Sequence, residues 1–348
     1  MQLRGEVSNI DTPYVLVSYS QHDSLRIDTV TVGKNGKFLY ENDIDSLTSF
    51  TLYFNHYASS SVFFADKAQK LTIKGDAYLP DLMEIHGNEI NDELTSFKQQ
   101  NTALLAQRGR LLNNLQSDTV AGSSALPNNE KMAQINSLNH ELTQKAEDFI
   151  KANPSKLSSI VLINDFFFDN ENPKALERVL GYLEGEALES PMTALLKAYS
   201  EKINQSAEGA RSPIFKLTDT KDKTLQSSDF NGKYLLLSFV SSVGIESRES
   251  LKALKAIYPK LNKDSVAFVS VYIDTDIYPV SYTKNDSLSW TVVPEKKSWA
   301  SEIVDKYDVR FVPYNILITP EGIIKERNIP SQEVQKAVRN STASNKGA

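Results

Sequence analysis

Apolar positions along this chain follow three different periods. Through the first 86 residues they come in short β-rich runs: Tyr14-Val15-Leu16-Val17-Ser18-Tyr19, the alternating stretch 26–31, Lys37-Phe38-Leu39-Tyr40, Phe50-Thr51-Leu52-Tyr53-Phe54, Ser61-Val62-Phe63-Phe64-Ala65, and Lys70-Leu71-Thr72-Ile73-Lys74-Gly75-Asp76. Turn formers such as Gly33-Lys34-Asn35-Gly36 separate them. Short strands at regular spacing predict a β-sandwich.

Near Asn88 the period becomes helical. Leu94, Phe97, Leu104, Leu105, Leu111, Leu112 and Leu115 lie on one face of a helix predicted over 93–115. The small and polar stretch 116–129, with Gly122, Ser123, Ser124 and Pro127, reads as a loop. A second helix over 130–152 ends at Asn153-Pro154, because the residue before a proline avoids the helical region. A third starts near Ser155 and buries Ile160, Val161, Leu162 and Ile163. Two shorter helices begin at Pro173 and Pro191. Phe166-Phe167-Phe168 and Tyr53-Phe54 are expected to pack in cores rather than to stand exposed.

After the connector 207–213 the pattern alternates between strand and helix. The run 234–240 reads as a continuous apolar strand and 266–273 as a nearly continuous one, as strands covered on both faces should be. Helices are predicted over 246–261 and 299–307, strands over 314–318 and 323–327, and a last helix from about Ser331. Trp290 and Trp299 flank Val292-Val293-Pro294 and are expected against the sheet edge. Lys216 to Lys223 reads as a solvated mixed-charge hairpin surface.

Composition then narrows the chemistry. The 348 residues carry a net charge of −6 and no polybasic block, so a nucleic-acid surface is not expected. No apolar run reaches the roughly 18–20 residues of a membrane span. There is no cysteine, which excludes disulfides and thiolate metal sites. His22, His56, His86 and His140 show no ligand spacing, and Asp23, Asp43, Asp45, Asp66 and Asp76 form no calcium-loop pattern, so neither metal nor cofactor is expected.

The last third of the chain resembles the thioredoxin fold, specifically the TlpA/ResA-like membrane-tethered thioredoxins. Asp229-Phe230-Asn231-Gly232-Lys233 is similar to the loop before that family's central strand, and Ser238-Phe239-Val240-Ser241-Ser242-Val243 to the strand and turn that follow. Gly244-Ile245-Glu246-Ser247-Arg248 stands where the family has Cys-x-x-Cys-Arg, with only the arginine kept. The stretch 299–309 resembles the helix ahead of the family's cis-proline, Val312-Pro313 matches that proline, and Thr319-Pro320-Glu321-Gly322 matches its hairpin turn. The N-terminal part resembles a β-sandwich domain of unknown function found ahead of such modules in secreted lipoproteins of Gram-negative bacteria. It does so through 28–38, 63–75 and the junction Ile85-His86-Gly87-Asn88-Glu89-Ile90-Asn91-Asp92-Glu93-Leu94. These resemblances imply a cell-envelope protein in the periplasm or at the outer membrane, tethered by a lipid on a native N-terminus that this chain lacks, with Met1 read as a start that replaces the leader.

The expected fold is therefore multidomain: an all-β sandwich over 1–87, an α-helical spacer over 88–206, an α/β thioredoxin-like domain over 207–340, and a disordered tail over 341–348. Dithiol exchange needs a thiolate and a resolving thiol, and Gly244 and Ser247 supply neither. Glu246 and Ser247 in a first helical turn read as dipole partner and cap, and Arg248 as a solvated helix residue or an anion contact. A Ser-His-acid triad within the last domain is excluded, since that domain has no histidine. In the family, backbone beside the cis-proline receives an extended chain, which needs no cysteine. The alternative is that the proline merely shapes the fold. A surviving groove would be lined by Ser242, Val243, Gly244, Ile245, Arg248, Val312 and Pro313. The expected function is a redox-inactive, non-enzymatic protein that holds a peptide or an envelope protein. Non-thiol enzymology on the same fold, or a thioredoxin unit kept only as structure, are the alternatives.

Overall fold

A computed structural model describes residues 1–22, 24–120, 129–168, 172–274 and 288–344. Asp23 and part of the predicted 116–129 loop thus lie outside the described residues. The chain divides into two compact units, Met1–Leu196 and Lys197–Ala348.

The first unit opens with eight strands: β1 (Gln2–Ser8), β2 (Tyr14–Gln21), β3 (Ser24–Thr31), β4 (Lys37–Glu41), β5 (Thr48–Phe54), β6 (Ser59–Ala65), β7 (Lys70–Asp76) and β8 (Glu84–His86). They form two four-stranded sheets, ordered β4-β1-β7-β8 and β3-β2-β5-β6. One core drawn from both sheets runs between them, with Leu3, Val17, Phe50, Leu52, Phe63 and Ile73 fully or almost fully buried. β1 keeps one face inward by alternation and buries Leu3, Gly5 and Val7. β1 is not among the apolar runs expected from the sequence, and its inward position 5 is a glycine. That glycine is required: a Cβ there would lie 2.1 Å from the Phe38 ring.

Helices α1 (Glu89–Gln100), α2 (Thr102–Val120), α3 (Asn129–Ala152), α4 (Leu157–Phe167), α5 (Pro173–Leu180), α6 (Gly185–Glu189) and α7 (Pro191–Asn204) follow. The predicted first helix is two helices, broken at Asn101, whose side chain donates back to Phe97 O at 2.8 Å. The predicted loop at 116 is helical as far as Val120. Helix α1 is tied to the sheets by side chains that pair with strand backbone. Asn91 bonds both N and O of Phe64, at 3.0 and 2.7 Å. Thr95 does the same for Ile85, at 2.9 and 2.8 Å. Phe167 and Phe54 are fully buried, as expected, whereas Tyr53, Phe166 and Phe168 are only half-buried.

The second unit contains β9 (Lys216–Thr218), β10 (Thr224–Gln226), β11 (Tyr234–Val240), β12 (Val266–Tyr272), β13 (Thr291–Pro294), β14 (Tyr314–Ile318) and β15 (Ile324–Glu326), with α8 (Ile245–Ile257), α9 (Glu302–Lys306) and α10 (Val334–Ser344). The main sheet is ordered β13-β12-β11-β14-β15. β11 is parallel to β12 and antiparallel to β14. Every residue of β11 is buried. Leu235, Leu237 and Phe239 face a core shared with α9, while Tyr234, Leu236 and Val240 face one shared with α8 and α10. Two covered faces explain the unbroken apolar run. Two expectations are corrected. Trp299 is 49% exposed, whereas Trp290 is buried and donates to Ser270 Oγ. The tail expected to be disordered from 341 is helical through Ser344, and 345–348 lie outside the described residues.

Candidate functional site

The first candidate residues sit where β11 ends and α8 begins. A strand that stops there leaves the N–H groups of the following turn without ladder partners. Asp274, two residues past the end of the neighbouring β12, satisfies them. Its carboxylate accepts from Ser242 N at 2.8 and 3.0 Å, from Ser241 Oγ at 2.8 Å and from Ser242 Oγ at 2.8 Å. Bonds to an ionised acceptor are about twice as strong as neutral ones. Ser241 Oγ in turn accepts from Val243 N and Gly244 N, at 3.2 and 3.1 Å. Sequence reading missed Asp274. The available signal was a single acid placed directly after a continuous apolar strand.

Gly244 is the N-cap residue of α8, with φ −69° and ψ 132°, and it offers no side-chain cap. Ser247 is buried, but its role differs from the cap expected of it. Its Oγ accepts from Ser241 N at 3.0 Å, so it fastens the helix to the preceding turn. Glu246 and Arg248 are exposed. A Cβ built at Gly244 would meet Ser247 Oγ and Ser241 Cβ, each at 3.4 Å, which is ordinary contact. The two positions therefore face each other across one helical turn.

The Val312–Pro313 peptide is cis and leads directly into β14. Tyr314 pairs with Phe239, so Pro313 and the 241–244 turn lie at the same end of the sheet. Three large apolar side chains are exposed around this end: Val243 (41%), Ile245 (67%) and Phe311 (46%). Phe311 rests edge-on against Tyr314, with ring centroids 5.1 Å apart. Val312 is half-buried against the core. A cavity of about 480 Å³ in the same unit lies elsewhere, between the β9–β10 hairpin and the region 293–306.

The arrangement cannot run thiol chemistry, and it is poorly suited to hydrolysis. Ser242 Oγ bonds the Asp274 carboxylate directly, with no imidazole between them to take its proton. Among the described residues no group of three or more His, Asp or Glu is placed to hold a metal ion, and no helix is long and apolar enough to cross a membrane.

Comparison with known proteins agrees with this geometry. Residues 209–327 match the family model described as AhpC/TSA family, and residues 1–94 match the one described as a domain of unknown function, DUF4369. Thiol-disulfide oxidoreductase ResA of Bacillus cereus (strain ATCC 10987 / NRS 248) is 28% identical over 134 residues, which is 38% of this chain and 76% of that protein. ResA of Bacillus subtilis (strain 168) is 27% identical over 117 residues, 33% of this chain and 64% of that one. A thiol-disulfide oxidoreductase from Bacteroides fragilis NCTC 9343 aligns with a TM-score of 0.33 and 25% identity, over 38% of this chain and 98% of its own. A thioredoxin-like protein from Bacteroides caccae ATCC 43185 aligns with a TM-score of 0.47 and 16% identity, over 63% and 87%. With the motif order, the mixed sheet and the sequence matches together, residues 209–327 form a thioredoxin-like domain similar to the ResA thiol-disulfide oxidoreductases, behind a region that matches the DUF4369 model, in a chain that has no cysteine.

Proposed function

We propose that this protein is a redox-inactive, non-enzymatic binding module of the cell envelope, tethered as a lipoprotein. In this reading it holds an extended peptide or protein segment at the end of the sheet formed by the 241–245 turn and Val312-Pro313. The observation that carries the reading is the exposure of Val243, Ile245 and Phe311 beside a turn held rigid by Asp274. Exposed apolar side chains grouped at one sheet end are a feature of interaction sites. A pre-ordered turn lowers the entropy lost on binding. The hydroxyls of Ser241, Ser242 and Ser247 are engaged within the protein, so recognition falls to backbone and apolar contact.

The test is a titration with a cysteine-free peptide of alternating apolar and polar residues, read by amide chemical shifts. Saturable shifts at 242–248 and 311–314 are expected, and Ile245→Asp should abolish them while leaving the fold intact. Shifts confined to other surfaces would overturn the assignment, and so would insulin reduction by the unaltered protein.

A further inference from the structure

The N-terminal unit holds a separate feature, independent of the thioredoxin-like site. A cavity of about 410 Å³ is walled by β6, the turn at 80–82 and helices α1, α2 and α4. That size lies within the range of small-molecule pockets. Two of its polar atoms find no partner within the protein. Ser61 is 5% exposed and its Oγ has no hydrogen-bond partner. Arg108 commits its terminal nitrogens to Asp81 at 2.8 Å and Asn139 at 3.3 Å, while its buried Nε has no partner. Lys98 Nζ donates to Met83 O at 3.3 Å, and an ammonium has three donors to place. Burial pushes the Lys98 ammonium down, and Asp81 and Asp165 only oppose this.

These groups are mostly donors, and burying donors without acceptors is unfavourable. Asp81 and Asp165 also line the cavity, but neither accepts from Ser61 Oγ or Arg108 Nε, so what these two donors lack is an acceptor. The charge it can take is limited, because the carboxyls of Asp81, which is held against Arg108, and of Asp165 also line it. A dianion would be repelled where a monoanion is not. Part of the wall is apolar, from Leu94, Leu105, Val161 and Leu162 and from Phe97 and Phe166, which meet edge to face at 6.0 Å.

We propose that this cavity binds a small carboxylic acid with an apolar body. The carboxylate is received by Lys98, by Nε of Arg108 and by the Ser61 hydroxyl, and the body lies against Phe97 and Phe166.

The test uses the full chain and sodium decanoate, followed by calorimetry and by the thermal midpoint. Decanoate should bind saturably and raise the midpoint. Decyltrimethylammonium, with the same tail and the opposite charge, should not. Lys98→Met should weaken decanoate binding roughly ten- to a hundredfold, the range for losing a charged hydrogen bond. Lys252→Met, at an exposed position in the other unit, should leave binding unchanged. Ser61→Ala should weaken decanoate severalfold yet keep or raise the midpoint of the free protein, since it deletes an unpaired hydroxyl. It decides the matter should Lys98→Met fail to fold. Absence of saturable decanoate binding, equal binding of the cationic amphiphile, or full affinity in Ser61→Ala together with Lys98→Met would each overturn the proposal. Ordered water alone filling the cavity in a decanoate-soaked crystal would overturn it as well.

Discussion

Restoring both thiols at the helix start is the sharpest test of the thioredoxin frame. The perturbation replaces Gly244 and Ser247 together by cysteine. A side chain at 244 enters free space, because its Cβ would meet nothing closer than 3.4 Å and the backbone there has ordinary extended angles. The 3.4 Å from that Cβ to Ser247 Oγ is close to the roughly 3.0 Å between a Cβ and the far sulfur of a disulfide, so a small side-chain shift closes the bond. Losing Ser247 Oγ removes the acceptor of Ser241 N, at a cost of about 1 kcal/mol. Closing so short a loop restrains the unfolded chain by about 2 kcal/mol on the chain-entropy account. For a unit of this size that corresponds to roughly 4–8 °C between oxidised and reduced forms. The assay is thiol titration after equilibration with oxidised glutathione, together with calorimetry with and without reductant. Insulin reduction reports whether activity accompanies the bond, since a thiol at a helix N-terminus has a lowered pKa. A variant that keeps its circular dichroism spectrum but leaves both thiols titratable would refute the reasoning.

Three further outcomes follow from the packing. Asp274→Ala should destabilise the second unit by about 1–3 kcal/mol and speed amide exchange at 242–244, because the turn loses its acceptor; protection unchanged at these amides would count against the turn's being held by Asp274. Asn315→Leu should cost roughly 2–4 kcal/mol, since Asn315 accepts from buried Ser238 at 2.6 Å and donates to Ile329 O and Ser331 Oγ. Adding Ser238→Ala should recover part of that in denaturant titrations. In the first unit, the Arg178 guanidinium, with Lys151 and Tyr182, lowers the Glu147 carboxyl from its ordinary 4.5 to about 2. A depressed folded-state pKa contributes stability that is present above pH 4.5 and lost as pH falls toward 2. The midpoint difference between wild type and Arg178→Met should therefore shrink over that window, and a difference independent of pH would contradict the pairing.

Much of the architecture was legible because it follows from local periodicity. β11 reads as doubly covered because six of its seven residues are apolar, and both of its faces are indeed buried. α4 and α5 were legible from their apolar spacing and from Pro173. Elements whose stability comes from distant partners were harder to see. β1 carries an inward glycine that makes sense only under the Phe38 ring. β13 is four residues long and exists because β12 offers a parallel edge. The break at Asn101 depends on a side chain folding back on its own helix.

The site divides in the same way. Sequence alone settled the loss of dithiol chemistry, because that chemistry requires sulfur atoms and the chain contains no cysteine. It also placed Gly244, Ser247 and Pro313 by their order along strand, helix and turn. Only the tertiary structure brought Asp274 to Ser241 and Ser242, turned Ser247 from a cap into an anchor, and set Lys98, Arg108 and Ser61 around one cavity. The physical reason is range. Periodicity and residue chemistry act over a few residues and are written in the local sequence. Hydrogen-bond pairing between groups tens of residues apart is decided by how strands and helices pack.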